Sequence, residues 1–238
     1  MALPISTCGL RFDNKAVRIA AALRLGSELC SPHICRCGSL VEASGTHGFG
    51  CKQAPSRVLR YHALNCISHA FSAAGIPVTK EPAHLALKGP DGCTIVPWRG
   101  GKRLAWDVTV CTTVANSYVA ISSRSAEYVV EQAADRKCQK YAEMSAAYDL
   151  PPVAVKTHGT MEESTVRFLG DLGQKISERL CDQLESHFLL QWISVLIQRF
   201  NSILFHETFS VQGDSDAAQQ FLFFNPGIFT TVGEQIIN

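Results

Sequence analysis

The sequence predicts a mixed α/β fold, and three observations support that class. Between residues 56 and 157 the chain has the order helix, three strands, helix, strand. Apolar residues recur every three or four positions in the helical segments, whereas the strand segments are short apolar runs bounded by glycine and proline. The 238 residues, 46% of them hydrophobic, are also enough to bury one sizeable core.

The first half of the chain supplies two helices and three strands. We expect a short helix at 14–26 that ends at Gly26, and a second at about 56–74 that stops at Gly75 and Pro77. Strands follow in "PVTKE", "CTIVPW" and "RLAWDVTVC", and "RGGK" forms a hairpin turn between the last two. The predicted apolar faces consist of Val17, Ile19, Ala20, Ala22 and Leu23 in the first helix and Leu59, Ala63, Cys66, Ile67, Ala70 and Phe71 in the second.

The second half begins with a long predicted helix at 124–148, which Pro151-Pro152 terminates. A short buried strand, "VAVKT", follows it, and two further helices are expected at about 161–184 and 187–205. Possible inward positions of the long helix are Tyr128, Val129, Ala133, Cys138, Tyr141 and Ala142.

The pattern divides the chain into three parts. Residues 1–52 hold the first helix and a segment rich in Cys, His and Gly, residues 53–206 hold the main α/β domain, and we expect residues 207–238 to be irregular. The net charge of +1 gives no general support to nucleic-acid binding, so any such role depends on local basic clusters. These clusters are Lys52/Arg57/Arg60, Arg99/Lys102/Arg103 and Arg136/Lys137/Lys140.

Neither a membrane span nor a secretory signal is expected. No stretch of 18 apolar residues is free of charge, and the start, "MALPISTCGLRFDNK", lacks a basic segment followed by a continuous apolar run. We therefore expect an intracellular location, nuclear or cytoplasmic, where thiols stay reduced. Six scattered cysteines are then predicted to be small buried hydrophobic residues, namely Cys8, Cys66, Cys93, Cys111, Cys138 and Cys181.

The remaining cysteines crowd into one short segment that suits a metal. "HICRCGSLVEASGTHGFGCK" offers Cys35, Cys37, His47 and Cys51 as four soft ligands for a structural zinc, in a zinc-knuckle-like arrangement. The Cys-x-Cys pair is tighter than the usual two-residue gap, so Cys30 and His33 are alternative ligands nearby. The competing interpretation is a set of buried thiols beside a surface histidine.

Two aspartates flank the predicted hairpin. Asp91 lies in Pro-Asp-Gly, which is also a turn sequence, whereas Asp107 lies inside an apolar strand, where a carboxylate needs a partner or a metal. Carboxylates on adjacent strands suit Mg²⁺, to which the backbone carbonyl of Val108 could contribute. Such a site could hydrolyse a phosphodiester, with Glu81 as a further candidate acid.

A lysine that orients water would complete this chemistry, and Thr109 occupies the strand position where it would usually lie. In "ADRKCQKYAE" the spacing puts Lys137, Lys140 and Tyr141 on one face of a helix that could pack on the sheet. The competing interpretation of these residues is a solvated basic face.

Several segments together resemble one family. It is the domain near the C-terminus of reverse-transcriptase-like open reading frames in animal genomes, which is similar to the restriction-like endonuclease region of site-specific non-LTR retrotransposons. The resemblance covers residues 9–201, in order, through "GLRFDNKAVRIAAALRLGSELCSPHICRCG", "GTHGFGCK", "LNCISHAF", "EP", "PDGCTIVPW", "LAWDVTV", "KCQKYAE", "PVAVKTHG" and "LLQWISVLIQRFN".

The resemblance implies a zinc module followed by a restriction-endonuclease-like core of the PD-(D/E)xK type. Asp91 and Asp107 match its Mg²⁺-binding acids, and Lys137, Lys140 and Tyr141 match the helix that carries the catalytic lysine. The implied activity is nicking of target DNA, with an element RNA or a reverse transcriptase as further partners.

The chain also departs from the family pattern. Arg60-Tyr61 stands where the family has Arg-His, although His62 follows. The approach "HLALKG" to the Pro-Asp pair is shorter and less basic than expected, and Lys156-Thr157 stands where the family has Glu-Thr. The alternative is therefore a catalytically inactive nucleic-acid-binding remnant of a retroelement protein.

Overall fold

The computed structural model describes residues 11–56, 67–82, 89–112, 135–159 and 161–209, and it has the mixed α/β architecture that the sequence predicts. A five-stranded sheet is covered on one face by helices from both halves of the chain. A smaller two-stranded unit near the N-terminus carries the Cys/His segment.

Helix α1 spans Asn14–Leu25, close to its predicted bounds. The Asp13 side chain accepts a hydrogen bond from the Ala16 N–H at 2.6 Å, and Gly26 ends the helix with a φ of 64°, which glycine adopts without a Cβ clash. Ala16, Ile19 and Ala20 are buried. The prediction for Val17 is wrong, since the residue points away from this face and is 49% exposed.

The Cys/His segment folds as a small hairpin and one short helix. Strands β1 (His33–Ile34) and β2 (Leu40–Val41) pair antiparallel, and helix α2 spans His47–Gly50. A separate apolar cluster joins this unit to the end of the last helix, through Ile19, Cys35, Val41, Phe49, Cys51, Ala54, Leu204 and Phe205.

The described part of the second predicted helix is α3, Ile67–Ala73, and its predicted inward residues Ile67, Ala70 and Phe71 are buried. The other predicted inward positions, Leu59, Ala63 and Cys66, lie outside the described residues. Helix α3 leads into strand β3, Val78–Lys80.

The predicted hairpin is confirmed. Strand β4 (Gly92–Arg99) pairs antiparallel with β5 (Lys102–Cys111), and β3 pairs antiparallel with β4 on the other side. Gly100 and Gly101 have φ values of 57° and 78°, as a two-residue turn with a left-handed backbone requires. The pairing shifts register between Cys93 and Pro97 and again between Pro97 and Arg99, and beyond these irregularities the start of β4 lies opposite the middle of β5, with Gly92 paired to Trp106.

Two short strands pair in parallel with β5 along its other edge. Strand β6 (Tyr148–Asp149) pairs at Arg103–Leu104, and β7 (Pro152–Lys156) pairs at Asp107–Cys111. Strand β7 is the predicted "VAVKT" strand. Strand β6 is not predicted from the sequence, because two residues cannot display an alternating pattern.

The predicted C-terminal bound of the helix at 124–148 is wrong. Residues 135–140 are helical, but a 3₁₀ turn at Ala142–Met144 follows and β6 then begins. Tyr141 is buried as predicted, whereas Cys138 and Ala142 are exposed. The positions at 124–134, including Tyr128, Val129 and Ala133, lie outside the described residues.

Helices α4 (Glu163–Leu180) and α5 (Glu185–His206) confirm the two predicted C-terminal helices. The Glu162 carboxylate accepts hydrogen bonds from the backbone N–H groups of Ser164 and Thr165 and so caps α4. Of the predicted tail, only residues 207–209 are described, and they form a turn.

The main core lies between the sheet and helices α3, α4 and α5. Alternate residues of β5 enter it, with Leu104 and Trp106 fully buried and Val108 and Val110 nearly so. Helix α5 is long and apolar enough to cross a membrane, with a mean hydropathy of 1.3, but 61% of that window is buried against the rest of the protein. A core helix passes the same test.

The scattered cysteines behave in two ways. Cys93 and Cys111 are buried, as predicted, because they lie within the sheet. The prediction is wrong for Cys138 and Cys181, which are exposed. Cys8 and Cys66 lie outside the described residues.

Candidate functional site

Four predicted ligands converge in the N-terminal unit. The Sγ atoms of Cys35 and Cys51 are 3.8 Å apart, and Cys37 Sγ lies 3.2 Å from His47 Nε2. One ligand atom from each of the four residues lies within 4.8 Å of the others, so this Cys₃His group could hold a metal ion such as zinc. In the part of the chain that the structure describes, no other group of three or more His, Cys, Asp or Glu ligands meets that criterion.

Local backbone geometry brings these ligands together. The turn after β1 is closed by hydrogen bonds from the Cys35 N–H to Ser39 O and from the Gly38 N–H to Cys35 O, and Gly38 has a φ of 83°. This turn presents Cys35 and Cys37 from one side. Helix α2 begins at His47 and stops before Cys51, so the second pair of ligands comes from its two ends.

The donor set fits zinc. A tetrahedral ion with Zn–S bonds of about 2.3 Å and a Zn–N bond of about 2.0 Å separates two sulfurs by about 3.8 Å and a sulfur from a nitrogen by about 3.5 Å. The Cys35–Cys51 separation of 3.8 Å matches the first value, and the Cys37–His47 separation of 3.2 Å is a few tenths of an ångström below the second. The alternative ligands, Cys30 and His33, hydrogen-bond instead to backbone carbonyls and, for His33, to Thr208.

The thiols of this group differ in their pKa. Hydrogen bonds from the side chain and backbone of Ser39 lower the pKa of Cys37 to about 6. Burial raises the pKa of Cys51 to about 11. One thiolate is therefore available near neutral pH without assistance, whereas the buried thiol needs a cation beside it to lose its proton.

The second predicted site lies on the sheet, where the two aspartates are neighbours across a strand pair. Gly92 pairs with Trp106, so Asp91, one residue earlier, lies opposite Asp107 and on the same sheet face. The Val108 N–H donates to Asp91 Oδ2 at 2.7 Å, which fixes this carboxylate against β5. The expected contribution of the Val108 carbonyl to a Mg²⁺ site stays a prediction.

Three donors converge on a single oxygen of Asp107. Lys137 Nζ lies 2.5 Å from Oδ2 and Lys140 Nζ lies 3.5 Å from it. The Tyr141 hydroxyl donates to the same oxygen at 2.5 Å and itself accepts a hydrogen bond from Lys140 Nζ. The predicted lysine-bearing helix therefore reaches the predicted acid, and these residues do not form a separate solvated face.

The electrostatics of this cluster follow from partial burial. Burial raises the pKa of Asp91, and the nearby charge of Asp107 raises it further, while the hydrogen bond from Val108 opposes both effects. Burial and the adjacent Asp107 carboxylate raise the pKa of Tyr141, so its hydroxyl keeps its proton and acts as a donor. The Asp107 side chain is only 11% exposed.

The other predicted residues are distributed around this cluster. Thr109 is on the same face of β5 as Asp107, two residues further along the strand. Glu81 continues the same row, because its N–H donates to the Asp91 carbonyl, but it is exposed and has a φ of 45°. Arg99 pairs with Asp171 and Lys102 donates to the Ser145 carbonyl, so neither is joined to the acids.

Gly92 also belongs to the site, although the sequence pattern does not predict it. A Cβ at Gly92 would lie 2.2 Å from the Trp106 ring, so only glycine lets the indole pack against this position, which directly follows Asp91. The signal in the sequence is the Asp-Gly pair, which is also a turn sequence.

A scan against protein-family models finds no matching family, and a search of curated proteins finds no relative.

Proposed function

We propose that this chain is a Mg²⁺-dependent DNA endonuclease domain that nicks DNA by phosphodiester hydrolysis. The observation that carries the proposal is the contact of Lys137, Lys140 and Tyr141 with Asp107, beside Asp91, which immediately precedes the adjacent strand β4. This combination of paired carboxylates and lysines on one surface is what charge neutralisation at a phosphate requires.

The available carboxylate oxygens fit Mg²⁺, which prefers oxygen ligands. Asp107 Oδ2 accepts all three donors and Asp91 Oδ2 accepts the Val108 N–H, so Oδ1 of each aspartate has no hydrogen bond from the described residues. A bound Mg²⁺ would neutralise phosphate charge and lower the pKa of an attacking water.

The remaining side chains have separable roles. Lys137, the closer and less exposed cation, offsets the charge of Asp107 and holds its carboxylate in one orientation. Lys140 is 39% exposed at its side chain and can turn from Asp107 toward a phosphate oxygen. Tyr141 contacts both groups, so it positions Lys140 relative to Asp107.

The Cys₃His group holds a structural zinc in this proposal. All four ligands come from the protein, which leaves no open position for a substrate. A staple at this point would fix the N-terminal unit against α5, since two ligands, Cys35 and Cys51, belong to the apolar cluster that includes Leu204 and Phe205.

The ordered resemblance to restriction-like endonuclease regions of non-LTR retrotransposons supports the choice of DNA as the substrate. In that setting the nick would give a reverse transcriptase a primer end, and the element RNA would be the template. The five-stranded mixed sheet with flanking helices is compatible with such a core.

The test is nicking of supercoiled plasmid by zinc-loaded protein in Mg²⁺. The wild type should convert plasmid to the open circle, and Asp107→Asn should lower the rate by more than about 100-fold because it weakens a metal ligand. Asp171→Asn is the matched control, since this aspartate is also ion-paired but lies on α4. Equal rates in the wild type and Asp107→Asn would refute the proposal, as would no nicking by the wild type.

One observation favours the alternative of a non-catalytic nucleic-acid-binding domain. Asp107 already has two lysines and a tyrosine as partners, and no third ligand among the described residues completes a metal group with Asp91 and Asp107. This alternative predicts salt-dependent binding that survives Asp107→Asn, without cleavage at any Mg²⁺ concentration.

A further inference from the structure

Helix α1 carries a cationic surface that the proposed catalytic site does not use. Lys15 and Arg18 are three positions apart on this helix, so they occupy one face, and Arg11 precedes the helix. All three are exposed. The helix itself, NKAVRIAAALRL, contains no acidic residue.

These cations lack ionic partners in the part of the chain that the structure describes. The four ion pairs found there involve Arg99, Lys137, Lys140 and Arg167, and none involves a residue of α1. The adjacent face of the helix, with Ala16, Ile19 and Ala20, is buried, so α1 cannot turn its charged side chains inward. Burial lowers the pKa of His206, and the charge of Lys15 lowers it further, so Lys15 lies near this histidine.

Positive charge is also concentrated in the N-terminal part of the chain. Residues 1–56 carry six Lys and Arg against three Asp and Glu, whereas the remaining residues carry 16 against 18. Three thiolates bound to Zn²⁺ would leave one net negative charge, so the N-terminal part stays positive with the metal in place. An anionic partner would therefore be attracted to this part more than to the rest of the chain.

We infer that the Lys15/Arg18 face of α1, with Arg11 beside it, binds the phosphate backbone of DNA. The inference rests on the proposed function for the choice of DNA and extends it with a second contact surface. Side chains three residues apart on a helix have Cβ atoms about 5–6 Å apart, and their long stems let both cations reach phosphates of one strand.

A membrane surface is the competing anionic partner, and the structure disfavours it. Helices that lie on membranes insert an apolar face between the headgroups. The apolar face of α1 is instead packed against the protein, mainly on α5. Contact through cations alone suits a phosphate backbone, which carries regularly spaced charges.

The experiment measures binding of the full chain, in the Asp107→Asn background, to a labelled 30-base-pair duplex over a range of KCl concentrations. Lys15→Gln with Arg18→Gln should weaken binding and reduce the slope of log K against log salt by about 1.8, since each lost phosphate contact accounts for about 0.9. The control pair, Arg167→Gln with Lys175→Gln, removes the same charge from α4 and should leave the slope unchanged.

Equal slopes for the α1 pair and the control pair would overturn the inference, as would preferential binding to anionic lipid vesicles or to single-stranded RNA. Lys15→Glu with Arg18→Glu gives a second variant, which should weaken binding further while far-ultraviolet circular dichroism stays unchanged. The outcome is separable from the catalytic proposal. If the wild type does not nick but the Lys15/Arg18 variant shows the predicted slope change, the DNA-binding surface is supported and the catalytic proposal fails. If the wild type nicks and the variant shows no slope change, only the DNA-binding surface is refuted.

Discussion

Tyr141 donates its phenolic proton to Oδ2 of Asp107 over 2.5 Å, although the two residues are 34 positions apart in the chain. The contact joins the end of a helix to the middle of the longest strand of the sheet. Lys140 donates to the same hydroxyl, so the tyrosine lies between a cation and a carboxylate. The candidate site is thus a connected hydrogen-bond network.

Tyr141→Phe should therefore lower both stability and nicking. The variant removes a hydrogen bond to a charged, nearly buried acceptor, so we expect a loss of about 1.5–3 kcal/mol in the free energy of unfolding. Nicking should fall about tenfold as Asp107 and Lys140 lose their common orientation. Urea unfolding and plasmid nicking measure the two effects. Tyr148→Phe on β6 is the control, and an equal effect there would remove the case for Tyr141.

Replacing each lysine with methionine should show that Lys137 contributes mainly to stability and Lys140 mainly to nicking. Lys137 is nearer to Asp107 and less exposed, so Lys137→Met should reduce the free energy of unfolding by about 1–2 kcal/mol, a value discounted for its partial exposure. Lys140→Met should change it by less than about 0.5 kcal/mol but slow nicking about 100-fold. Lys102→Met serves as the exposed control. A larger stability loss for Lys140→Met would contradict this division of roles.

Replacing Asp91 should stabilise the protein by an amount that depends on pH. Its pKa is raised in the folded protein, so its charged form opposes folding. Asp91→Asn should therefore be more stable than the wild type, by an amount that is near zero below about pH 4 and grows as pH rises through the folded pKa. Thermal unfolding of both proteins from pH 4 to 8 tests this. A constant difference across that range would contradict it.

Gly92 should tolerate no side chain. A Cβ there would lie 2.2 Å from the Trp106 ring, so Gly92→Ala should cost about 2–3 kcal/mol and displace Asp91. Gly170 on α4 is the control, because nothing lies within 4 Å of its Cβ position and Gly170→Ala should stabilise the helix by about 0.5–1 kcal/mol. Denaturant unfolding of both variants decides, and similar values for the two would refute the packing argument.

Purified protein should contain about one zinc per chain. Cys51→Ala should lose the metal and at least about 3 kcal/mol of stability, because the Cys₃His group joins the hairpin to α2 and Cys51 also packs in the apolar cluster that reaches α5. Cys181→Ala removes an exposed thiol elsewhere and should retain the zinc. Folded wild type without zinc in metal analysis would contradict the proposal.

The sequence was most informative where a periodic pattern met a clear stop. The bounds of α1, the β4–β5 hairpin and the two C-terminal helices follow from apolar spacing together with Gly26, Gly100 and Gly101. The cysteine segment was also identifiable, because four soft ligands within 17 residues have few other uses.

Other features depend on tertiary contacts that spacing does not encode. Strand β6 exists because β5 offers a free edge at Arg103–Leu104, and the two residues that pair there carry no pattern of their own. Cys138 and Cys181 are exposed, and the burial of a cysteine depends on where its position lies relative to the core, which residue type alone does not specify. The approach of Lys137 to Asp107 required the helix to cross the sheet at one position, which a helical spacing alone permits but does not specify.

The central claim is that Asp91 and Asp107 together bind a divalent cation, and a manganese position tests it most directly. Crystals of the zinc-loaded protein soaked in Mn²⁺ should give an anomalous peak between the two carboxylates, with Lys137 retained near Asp107 and no peak in Asp107→Asn. Density that keeps both carboxylates on their present partners, with no manganese peak at saturating concentration, would contradict the account.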